Sequence, residues 1–456
     1  MQGLCRWRHI CHSGQSAGRA GYHHEENWKG RIPLADSEGL RMNDRFWSRI
    51  RSDFPVLKRK INGRPIVYLD SACMALKPRQ VISAMNEYYE RFPACGGRSI
   101  HRLGEEASDA YSRARGKLAR FINAAEPGEC IWTRNATESL NIVASSVKIE
   151  RGSKVVTTSL EHHSGSLPFV ERAKKTGLKL EVVRARNDGT FDIEDWKRAI
   201  DSSTRIVSVV HSSNVTGTIA PLREIIEIAH DRGALVVSDD AQYAPHHPLD
   251  VQNLDVDFSA ISVHKMCGPT GMGVLYGKMS LLESMDMFLV GGDTVSDVRF
   301  EDGRIIPSYL PPPHKFEAGL QNYAGAIGAG AAAEYLQSIG MREIEQHERD
   351  LLRAALEGLK QLSHVHFLGP DDVNLRTGLL TFVIDTVESA HDIATFLNDR
   401  YAVMIRSGWH CAAPFHYQIG IPPSKGTARA SIYIYNNSND ISIFLTGLQT
   451  LIEQTS

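Results

Sequence analysis

The stretch Phe258-Ser-Ala-Ile-Ser-Val-His-Lys-Met-Cys-Gly-Pro-Thr-Gly-Met-Gly273 joins an apolar segment to a glycine-rich loop. The apolar part predicts a buried strand over Phe258–Val263, and the pair His264-Lys265 comes at its carboxyl end. A charged lysine at such a position is costly unless it is paired, so burial lowers its pKa. Lys265 is therefore a candidate nucleophile toward a carbonyl group. The alternative is a surface lysine that follows a strand.

Apolar, β-branched segments of the same kind flank this one and predict a sheet. They lie at Lys154–Thr158, Leu178–Val183, Arg205–Val210, Ala234–Ser238 and Gly273–Tyr276. Their apolar residues are continuous rather than alternating, as in strands that are buried on both faces. Helix-period segments lie between many of them, at Glu138–Lys148, Pro168–Thr176, Ile193–Ile200 and Leu222–Arg232. Strands that alternate with helices predict an α/β fold with a mostly parallel sheet, whose ligands bind at the carboxyl ends of the strands.

The two ends of the chain are distinct from this central part. Residues 1–41 are rich in arginine and histidine. A disordered tail, or an upstream start codon with Met42 as the true start, explains this composition better than an arginine-rich targeting peptide does. Towards the other end, Asn322–Leu336 predicts a closely packed helix that continues through Met341–Leu362 and leads into a smaller α/β unit, Val365–Ser456.

The composition is that of an ordinary globular protein. Of 456 residues, 42% are hydrophobic and 23% are charged, which excludes wholesale disorder. Because 51 basic residues face 53 acidic ones, the net charge gives no general attraction to nucleic acid or to an anionic membrane. No apolar stretch reaches the roughly 18 residues of a membrane-spanning helix. The seven cysteines are irregularly spaced without a CxxC pair, which favours a reducing compartment, and we expect a cytoplasmic protein.

Two more predicted strands end in polar side chains that suit an aromatic cofactor. Asp239 and Gln242 follow the strand that begins at Ala234, and an aspartate there can keep a pyridinium nitrogen protonated. Capping or metal-binding acids are the alternative. His162 follows the strand Lys154–Thr158, and its imidazole can stack on a cofactor ring or move protons. A metal shared by neighbouring histidines is the weaker interpretation, because adjacent side chains point in different directions, and we expect no metal site.

Polar loops supply candidate sites for a phosphate, a carboxylate and a sulfur atom. The turn before Thr137 offers backbone N–H groups and a hydroxyl to a phosphate, although N-capping alone also explains such a turn. Arg429 leads into an apolar strand and can clamp a carboxylate through two hydrogen bonds. Cys411 lies beside His410 and near Arg406 on a glycine-containing loop, which favours a reactive thiol over a buried structural one.

In this order, these segments resemble the class V aminotransferase-like, fold-type I pyridoxal phosphate enzymes, and more narrowly the group II, SufS-like cysteine desulfurases. The similarity runs from about Phe46 to Leu451. The matching blocks are Tyr68-Leu-Asp-Ser-Ala, Glu161-His-His, His211-Ser-Ser-Asn-Val-Thr-Gly-Thr, Asp239-Asp-Ala-Gln, His246-His-Pro-Leu-Asp-Val, Ser262-Val-His-Lys with Gly-Pro-Thr-Gly, Phe316-Glu-Ala-Gly, and Arg406-Ser-Gly-Trp-His-Cys-Ala. The His-Lys pair before Gly-Pro-Thr-Gly is specific for the superfamily, and the Arg-x-Gly-x-His-Cys block narrows the resemblance to desulfurases.

The resemblance implies a fold-type I architecture of two α/β domains. The large, cofactor-binding domain spans residues 66–333 and has a mostly parallel, seven-stranded sheet flanked by helices. Residues 42–65 and 334–456 form the small domain, which holds the catalytic cysteine loop. The resemblance also implies a homodimer whose active sites lie near the interface.

The resemblance implies a role for each site residue. Lys265 carries pyridoxal 5'-phosphate and also moves protons, and Cys411 attacks the substrate sulfur. Asp239 pairs with the pyridinium nitrogen, Gln242 bonds the ring oxygen, and His162 stacks on the ring. The phosphate is held by the Ala136 backbone, Thr137, Ser262 and His264. Asn214 and Arg429 hold the substrate carboxylate, and Arg406 lies near the thiol loop on the substrate side.

The implied activity is that of a cysteine desulfurase. L-Cysteine is converted to L-alanine, its sulfur stays on Cys411 as a persulfide, and a sulfur-acceptor protein or a reductant removes it. Selenocysteine as substrate, another enzyme of this fold (a C–S lyase, an epimerase or an aminotransferase) and a non-catalytic sulfur-relay scaffold stay open as alternatives. Departures from the SufS-like pattern at Gly97, Asp240, Leu320 and Trp409 leave the core roles in place. They bear on the acceptor, the substrate and the contact between subunits.

Overall fold

The computed structural model describes residues 44–97 and 99–456. The helices in this part of the chain are α1 (Asp44–Ser52), α2 (Arg79–Arg91), α3 (Arg102–Phe121), α4 (Ala136–Ser146), α5 (His163–Thr176), α6 (Ile193–Ala199), α7 (Leu222–His230), α8 (Val251–Leu254), α9 (Met279–Ser284), α10 (Tyr323–Ile339), α11 (Met341–Lys360), α12 (Ala390–Tyr401), α13 (Ala413–Gln418) and α14 (Ser438–Thr455). Short 3-10 helices lie at Pro55–Lys58, Pro127–Glu129, Val263–Lys265, His314–Phe316 and Val373–Leu375. The predictions for residues 1–41 fall outside the described residues.

The strands of the same part of the chain form two larger sheets and several short pairs. They are β1 (Lys60–Ile61), β2 (Arg64–Pro65), β3 (Val67–Tyr68), β4 (Cys130–Thr133), β5 (Lys154–Thr158), β6 (Lys179–Val183), β7 (Thr204–Val210), β8 (Leu235–Asp239), β9 (Phe258–Ser262), β10 (Gly273–Gly277), β11 (Val295–Glu301), β12 (Arg304–Tyr309), β13 (Val365–Leu368), β14 (Leu379–Ile384), β15 (Val403–Met404), β16 (Arg406–Gly408) and β17 (Thr427–Ser431).

The larger sheet has seven strands in the order β4-β10-β9-β8-β7-β5-β6. Only β10 runs antiparallel to its neighbours, so the predicted mostly parallel sheet is confirmed. Neighbouring residues of one strand pack into different apolar clusters, as Val236 and Val237 of β8 do. The sheet is therefore buried on both faces, which is why its strands have continuous apolar sequences rather than alternating ones.

The predicted strand and helix bounds agree with the structure to within a few residues. The one exception is the long helix predicted after the strands of the larger sheet. The sequence predicts one continuous helix from Asn322 to Leu362, but α10 ends at Ile339 and α11 begins at Met341. Gly340 separates them with a φ of 99°, a conformation that glycine adopts readily and that ends a helix. The prediction of a continuous helix is therefore wrong.

The smaller sheet has the order β13-β14-β17-β16 and is antiparallel throughout. It packs with α11, α12 and α14 around a separate apolar cluster that includes Phe382 and Phe444. The short parallel pair β3–β15 joins the beginning of the chain to this region. The division into a domain of residues 66–333 and a domain of residues 42–65 and 334–456 stays a prediction.

Within residues 44–97 and 99–456, no helix is long and apolar enough to cross a membrane.

Candidate active site

A cavity of about 440 Å³ lies where the carboxyl ends of β7, β8 and β9 meet loops and strands of the smaller sheet. This is the edge at which parallel α/β sheets bind ligands. All the predicted site residues line it, namely Ala136, Thr137, His162, Asn214, Asp239, Gln242, Ser262, His264, Lys265, Arg406, Cys411 and Arg429. Residues more than 270 positions apart in the sequence therefore meet at one place.

Lys265 and Asp239 form the buried end of the cavity. Asp239 is the last residue of β8, and Lys265 closes the 3-10 turn that follows the neighbouring strand β9. Burial lowers the pKa of Lys265, and Asp239 acts against this effect. Burial also raises the pKa of Asp239, which Lys265 opposes. A buried lysine with a lowered pKa has more of its amine free to react than an exposed lysine has.

His162 lies at the beginning of α5 and contributes a neutral ring to the cavity. Its Nδ1 atom accepts a hydrogen bond from the backbone N–H of Ser164 at 3.1 Å. Burial lowers the pKa of His162 to about 3, and Lys265 acts in the same direction. The imidazole is therefore uncharged at neutral pH, which suits stacking on an aromatic ring.

The N-terminus of α4 borders the cavity with Asn135, Ala136 and Thr137. The backbone N–H of Ala136 donates to Ser262 Oγ at 3.0 Å, so the helix start is attached to the end of β9. Gly273 of β10 permits this packing, because a Cβ atom there would lie 2.5 Å from the Cα of Asn135. The first turn of a helix offers N–H groups and a positive dipole end to an anion. The start of α4 therefore suits an anion, and the phosphate site predicted there stays a prediction.

Two arginines of the smaller sheet line another side of the cavity. Arg406 of β16 and Arg429 of β17 lie opposite each other in the antiparallel register of the two strands. The Nη2 atom of Arg406 lies 3.3 Å from one carboxylate oxygen of Asp70, and the Nη2 atom of Arg429 lies 3.6 Å from the other. Arg429 Nη1 also donates to the backbone oxygen of Asn214 at 2.7 Å. Like charges that face each other across strands repel, and the Asp70 carboxylate offsets this repulsion. Paired guanidinium groups suit a carboxylate ligand.

Cys411 lies in the turn after β16, and its side chain is exposed. His410 and Cys411 have φ angles of 50° and 57°, a left-handed conformation that residues other than glycine adopt only when their surroundings hold it. Asn214 Nδ2 donates to the His410 oxygen at 2.6 Å, and the His163 N–H donates to the Cys411 oxygen at 2.7 Å. The loops of the larger sheet therefore hold the backbone of this turn while its thiol stays accessible.

Unsatisfied polar atoms test which cofactor fits the cavity. Among the described residues, Gln242 Oε1, Asn214 Oδ1 and Arg429 Nε are buried without a hydrogen-bond partner. Such atoms are costly unless a ligand or water satisfies them. These unsatisfied atoms indicate a polar ligand in the cavity, and the amine of Lys265, the acid of Asp239 and the start of α4 suit one with an aldehyde, a basic ring nitrogen and a phosphate. Pyridoxal phosphate has these groups, so the residues present fit it.

The site also contains residues that were not among the predicted ones, and three of them contact predicted residues directly. The Ser164 hydroxyl lies 2.7 Å from Thr137 Oγ1, at the predicted phosphate end. Asp70 joins the two arginines, and Cys73 lines the cavity with its Sγ atom accepting a hydrogen bond from Arg406. Ser164 directly follows the His-His pair and Asp70 lies in the block Tyr68-Leu-Asp-Ser-Ala, so a signal existed for both. Cys73 directly follows the same block, but no chemical pattern around it predicts a thiol in the cavity.

In the described ranges, 44–97 and 99–456, no group of three or more His, Cys, Asp or Glu side chains is arranged to hold a metal ion. His246 Nδ1 lies 2.8 Å from Glu348 Oε2, and His247 Nδ1 lies 3.4 Å from Glu345 Oε1. These histidines thus pair with acids of α11 rather than with His162.

Residues 67–444 match the family Aminotransferase class-V. The match includes both larger sheets and every candidate residue in the cavity. Pyridoxal phosphate is the cofactor of this family, in agreement with the polar groups of the cavity. The chain therefore belongs to the class V aminotransferase family, whose fold-type I architecture the seven-stranded sheet shows.

Similar proteins narrow this class further. A probable cysteine desulfurase of Halalkalibacterium halodurans is 44% identical over 403 residues, which cover 88% of this chain and 96% of that protein. The solved cysteine desulfurase of Thermococcus onnurineus NA1 has a TM-score of 0.83 and 37% identity, covering 89% of this chain and 98% of that one. A cysteine desulfurase structure from Escherichia coli has a TM-score of 0.81 and 34% identity, covering 90% and 99%. The predicted enzyme class, cysteine desulfurase, is confirmed, while the narrower SufS-like group stays a prediction.

Proposed function

We propose that this chain is a pyridoxal-phosphate-dependent desulfurase that converts L-cysteine to L-alanine and keeps the sulfur on Cys411 as a persulfide. The observation that supports this most directly is the arrangement of one cavity with two chemically different ends. A buried lysine and aspartate, Lys265 and Asp239, stand at one end, and the exposed thiol of Cys411 stands at the other. A lyase or an aminotransferase needs the first end only.

The cofactor would be held by groups whose chemistry matches its parts. Lys265 would bind its aldehyde, Asp239 would face its ring nitrogen, and His162 would stack on its ring. Its phosphate would lie at the start of α4, with Thr137 and Ser262. When bound, pyridoxal phosphate draws electrons from the substrate carbon next to the amino group.

The protein's own residues position L-cysteine and move its proton and its sulfur. Arg429 binds the substrate carboxylate through its guanidinium group, whose Nε lacks a partner among the described residues, and the neighbouring side-chain amide of Asn214 assists. Lys265 Nζ takes the proton from the substrate α-carbon and returns a proton later, which an amine with a lowered pKa does more readily than an exposed lysine. The Cys411 thiolate attacks the substrate sulfur, so that an S–S bond forms and the C–S bond breaks. L-Cysteine and the Cys411 thiol thus give L-alanine and the Cys411 persulfide.

The proposed assembly is a homodimer that passes sulfur to an acceptor protein. Exposed apolar side chains support a second copy, because Phe300, Ile305 and Leu320 are 77%, 73% and 71% exposed, and such groups mark interfaces. The exposed position of Cys411 supports delivery of sulfur to an external thiol. All five described cysteines are free, which supports a reducing compartment such as the cytoplasm. Selenocysteine stays the alternative substrate.

The test is the identity of the product. Holoenzyme is incubated with L-cysteine and dithiothreitol, and alanine, pyruvate and sulfide are measured for the wild type, Cys411→Ala and Cys95→Ala. We expect alanine and sulfide in equal amounts from the wild type, almost none from Cys411→Ala, and wild-type amounts from Cys95→Ala, because Cys95 is exposed outside the cavity. Pyruvate as the product, or full activity of Cys411→Ala, would contradict the proposal and favour a lyase.

A further inference from the structure

Cys73 gives the cavity a second thiol. It lies in the turn that follows β3 and lines the same cavity as Cys411. The parallel pairing of β3 with β15 brings this turn beside the segment that contains Arg406, and Arg406 Nη2 donates a hydrogen bond to Cys73 Sγ. A guanidinium beside a sulfur atom is a typical setting of reactive cysteines. The proposed conversion of L-cysteine assigns no role to the Cys73 thiol.

The two thiols belong to one cavity. Cys73 and Cys411 line it together with Arg406, which precedes the Cys411 turn in the sequence and donates to Cys73 Sγ. A continuous set of contacts also joins the two turns. Arg429 Nη2 lies 3.6 Å from the carboxylate of Asp70, which begins the turn of Cys73. Arg429 Nη1 donates to the Asn214 oxygen, and Asn214 Nδ2 donates to the oxygen of the residue before Cys411. The structure thus holds both thiols in one cavity.

The other described cysteines differ from this pair. Cys130 and Cys267 are fully buried, and burial raises the pKa of each to about 12, so they are inert near neutral pH. Cys95 is exposed, but it lies outside the cavity. Among the residues that the structure describes, Cys73 is therefore the thiol best placed to meet sulfur that Cys411 has accepted.

We propose that Cys73 is a second sulfur-carrying cysteine, which takes the outer sulfur of the Cys411 persulfide inside the cavity; this inference rests on the proposed function. The Cys73 thiolate attacks that outer sulfur. A bond forms between Cys73 Sγ and the transferred sulfur, the bond from that sulfur to Cys411 Sγ breaks, and Cys411 leaves as a thiolate. The proton lost by Cys73 passes to Cys411. The step is an exchange between two thiols and needs neither an oxidant nor a reductant.

The transfer has a consequence for the order of events in the cavity. It restores the Cys411 thiol while the sulfur stays in the protein, so a second molecule of L-cysteine can react before an external acceptor arrives. Wild-type protein should then store two sulfur atoms per chain, and protein without the Cys73 thiol should store one.

The experiment follows the sulfur itself. Holoenzyme is mixed with excess L-cysteine without reductant, quenched at successive times with an alkylating agent, and digested, and mass spectrometry measures the extra sulfur on the peptides of Cys73 and Cys411. The variants are Cys73→Ser, Cys73→Ala and Cys411→Ser, with Cys95→Ser as the matched control. Alanine is measured in the same samples.

We expect extra sulfur first on Cys411 and then on Cys73 in the wild type and in Cys95→Ser. In both Cys73 variants the label stays on Cys411 and the alanine formed before reductant is added falls by half. Cys411→Ser should show no label on Cys73. The inference is overturned when Cys411 acquires sulfur and Cys73 never does, or when the two cysteines form a disulfide and sulfide is released. Wild-type protein that forms neither alanine nor a Cys411 persulfide would instead refute the proposed function.

Discussion

The two ends of the active-site cavity are built in opposite ways. The cofactor end, formed by Lys265, Asp239 and His162, consists of buried and half-buried side chains that follow strands of the mostly parallel sheet or begin a helix beside it. The sulfur end, formed by Cys411, Cys73 and Arg406, lies on turns and a short strand beside the antiparallel sheet. At the cofactor end, burial shifts the pKa values of these three side chains. At the sulfur end, the thiol of Cys411 is exposed and its turn is held in a left-handed backbone conformation.

This difference matches two separate chemical tasks. Activation of a carbon needs groups that are fixed and shielded from water, because electrostatic effects are strong in a low-dielectric site. Receipt and delivery of sulfur need a thiol that meets both the substrate and an external acceptor. A change at the cofactor end should therefore stop all chemistry, and a change at the sulfur end should stop sulfur transfer alone.

Replacement of Lys265 at the cofactor end should cause the largest loss of activity. Side chains that transfer protons contribute about 10²–10⁴-fold to enzyme rates, so Lys265→Ala should reduce alanine formation by at least about 10²-fold. The absorbance of the bound cofactor should change as well, because Lys265 no longer reacts with it. Lys174→Ala, on an exposed pair with Glu171, is the control and should match the wild type in both measurements. Normal turnover of Lys265→Ala would remove the cofactor end from the mechanism.

Two adjacent acids offer a sharper test of the same end. Asp239 lines the cavity, whereas Asp240 faces away from it, with its carboxylate 2.5 Å from His211 Nδ1 and accepting a hydrogen bond from Ser259. Hydrogen bonds to charged groups contribute about 1.5–3 kcal/mol, so Asp239→Asn should lower kcat roughly 10- to 100-fold. Asp240→Asn should keep kcat within about twofold and lower the unfolding free energy by about 1–3 kcal/mol. Steady-state kinetics and chemical denaturation distinguish the two, and equal losses of kcat would contradict the assignment.

The smallest expected effect is on the pH dependence of stability. Burial raises the pKa of Glu161, which precedes His162, from 4.5 to about 8. Below pH 4.5 the carboxyl is protonated in both states, and between 4.5 and about 8 only the folded state keeps the proton, so this group costs stability as pH rises through that window. Glu161→Gln should therefore gain Tm relative to the wild type as pH rises. A constant Tm difference between the two proteins from acid to alkaline pH would show that Glu161 is ionised in the folded state.

The sequence predicts the cofactor end better than the sulfur end, for a physical reason. Strands buried on both faces need continuous apolar residues, so β5 to β10 and the polar groups at their ends are visible in one sequence. β4, α2 and α3 were missed because shorter or mixed patterns mark them less clearly. The break at Gly340 depends on one backbone angle, which a helical pattern on both sides conceals.

Contacts at the sulfur end depend on pairings between distant parts of the chain. Cys73 meets Arg406 only because β3 pairs with β15, 336 residues further along the chain by the register of Val67 with Val403. Asp70 lies between Arg406 and Arg429 only because β16 pairs with β17. Local patterns contain no information on such pairings, so the contact of Cys73 with Arg406 could not be predicted from the sequence around either residue.

The most direct test of the two-ended cavity is to mix the holo form of Cys411→Ala rapidly with L-cysteine and to follow cofactor absorbance and alanine in the same reaction. We predict that the absorbance changes as in the wild type, because Lys265, Asp239, Asn214 and Arg429 are intact, while no alanine forms because the sulfur has no acceptor. Alanine formed at the wild-type rate, or an absorbance that does not respond to L-cysteine, would contradict the separation of carbon activation from sulfur transfer.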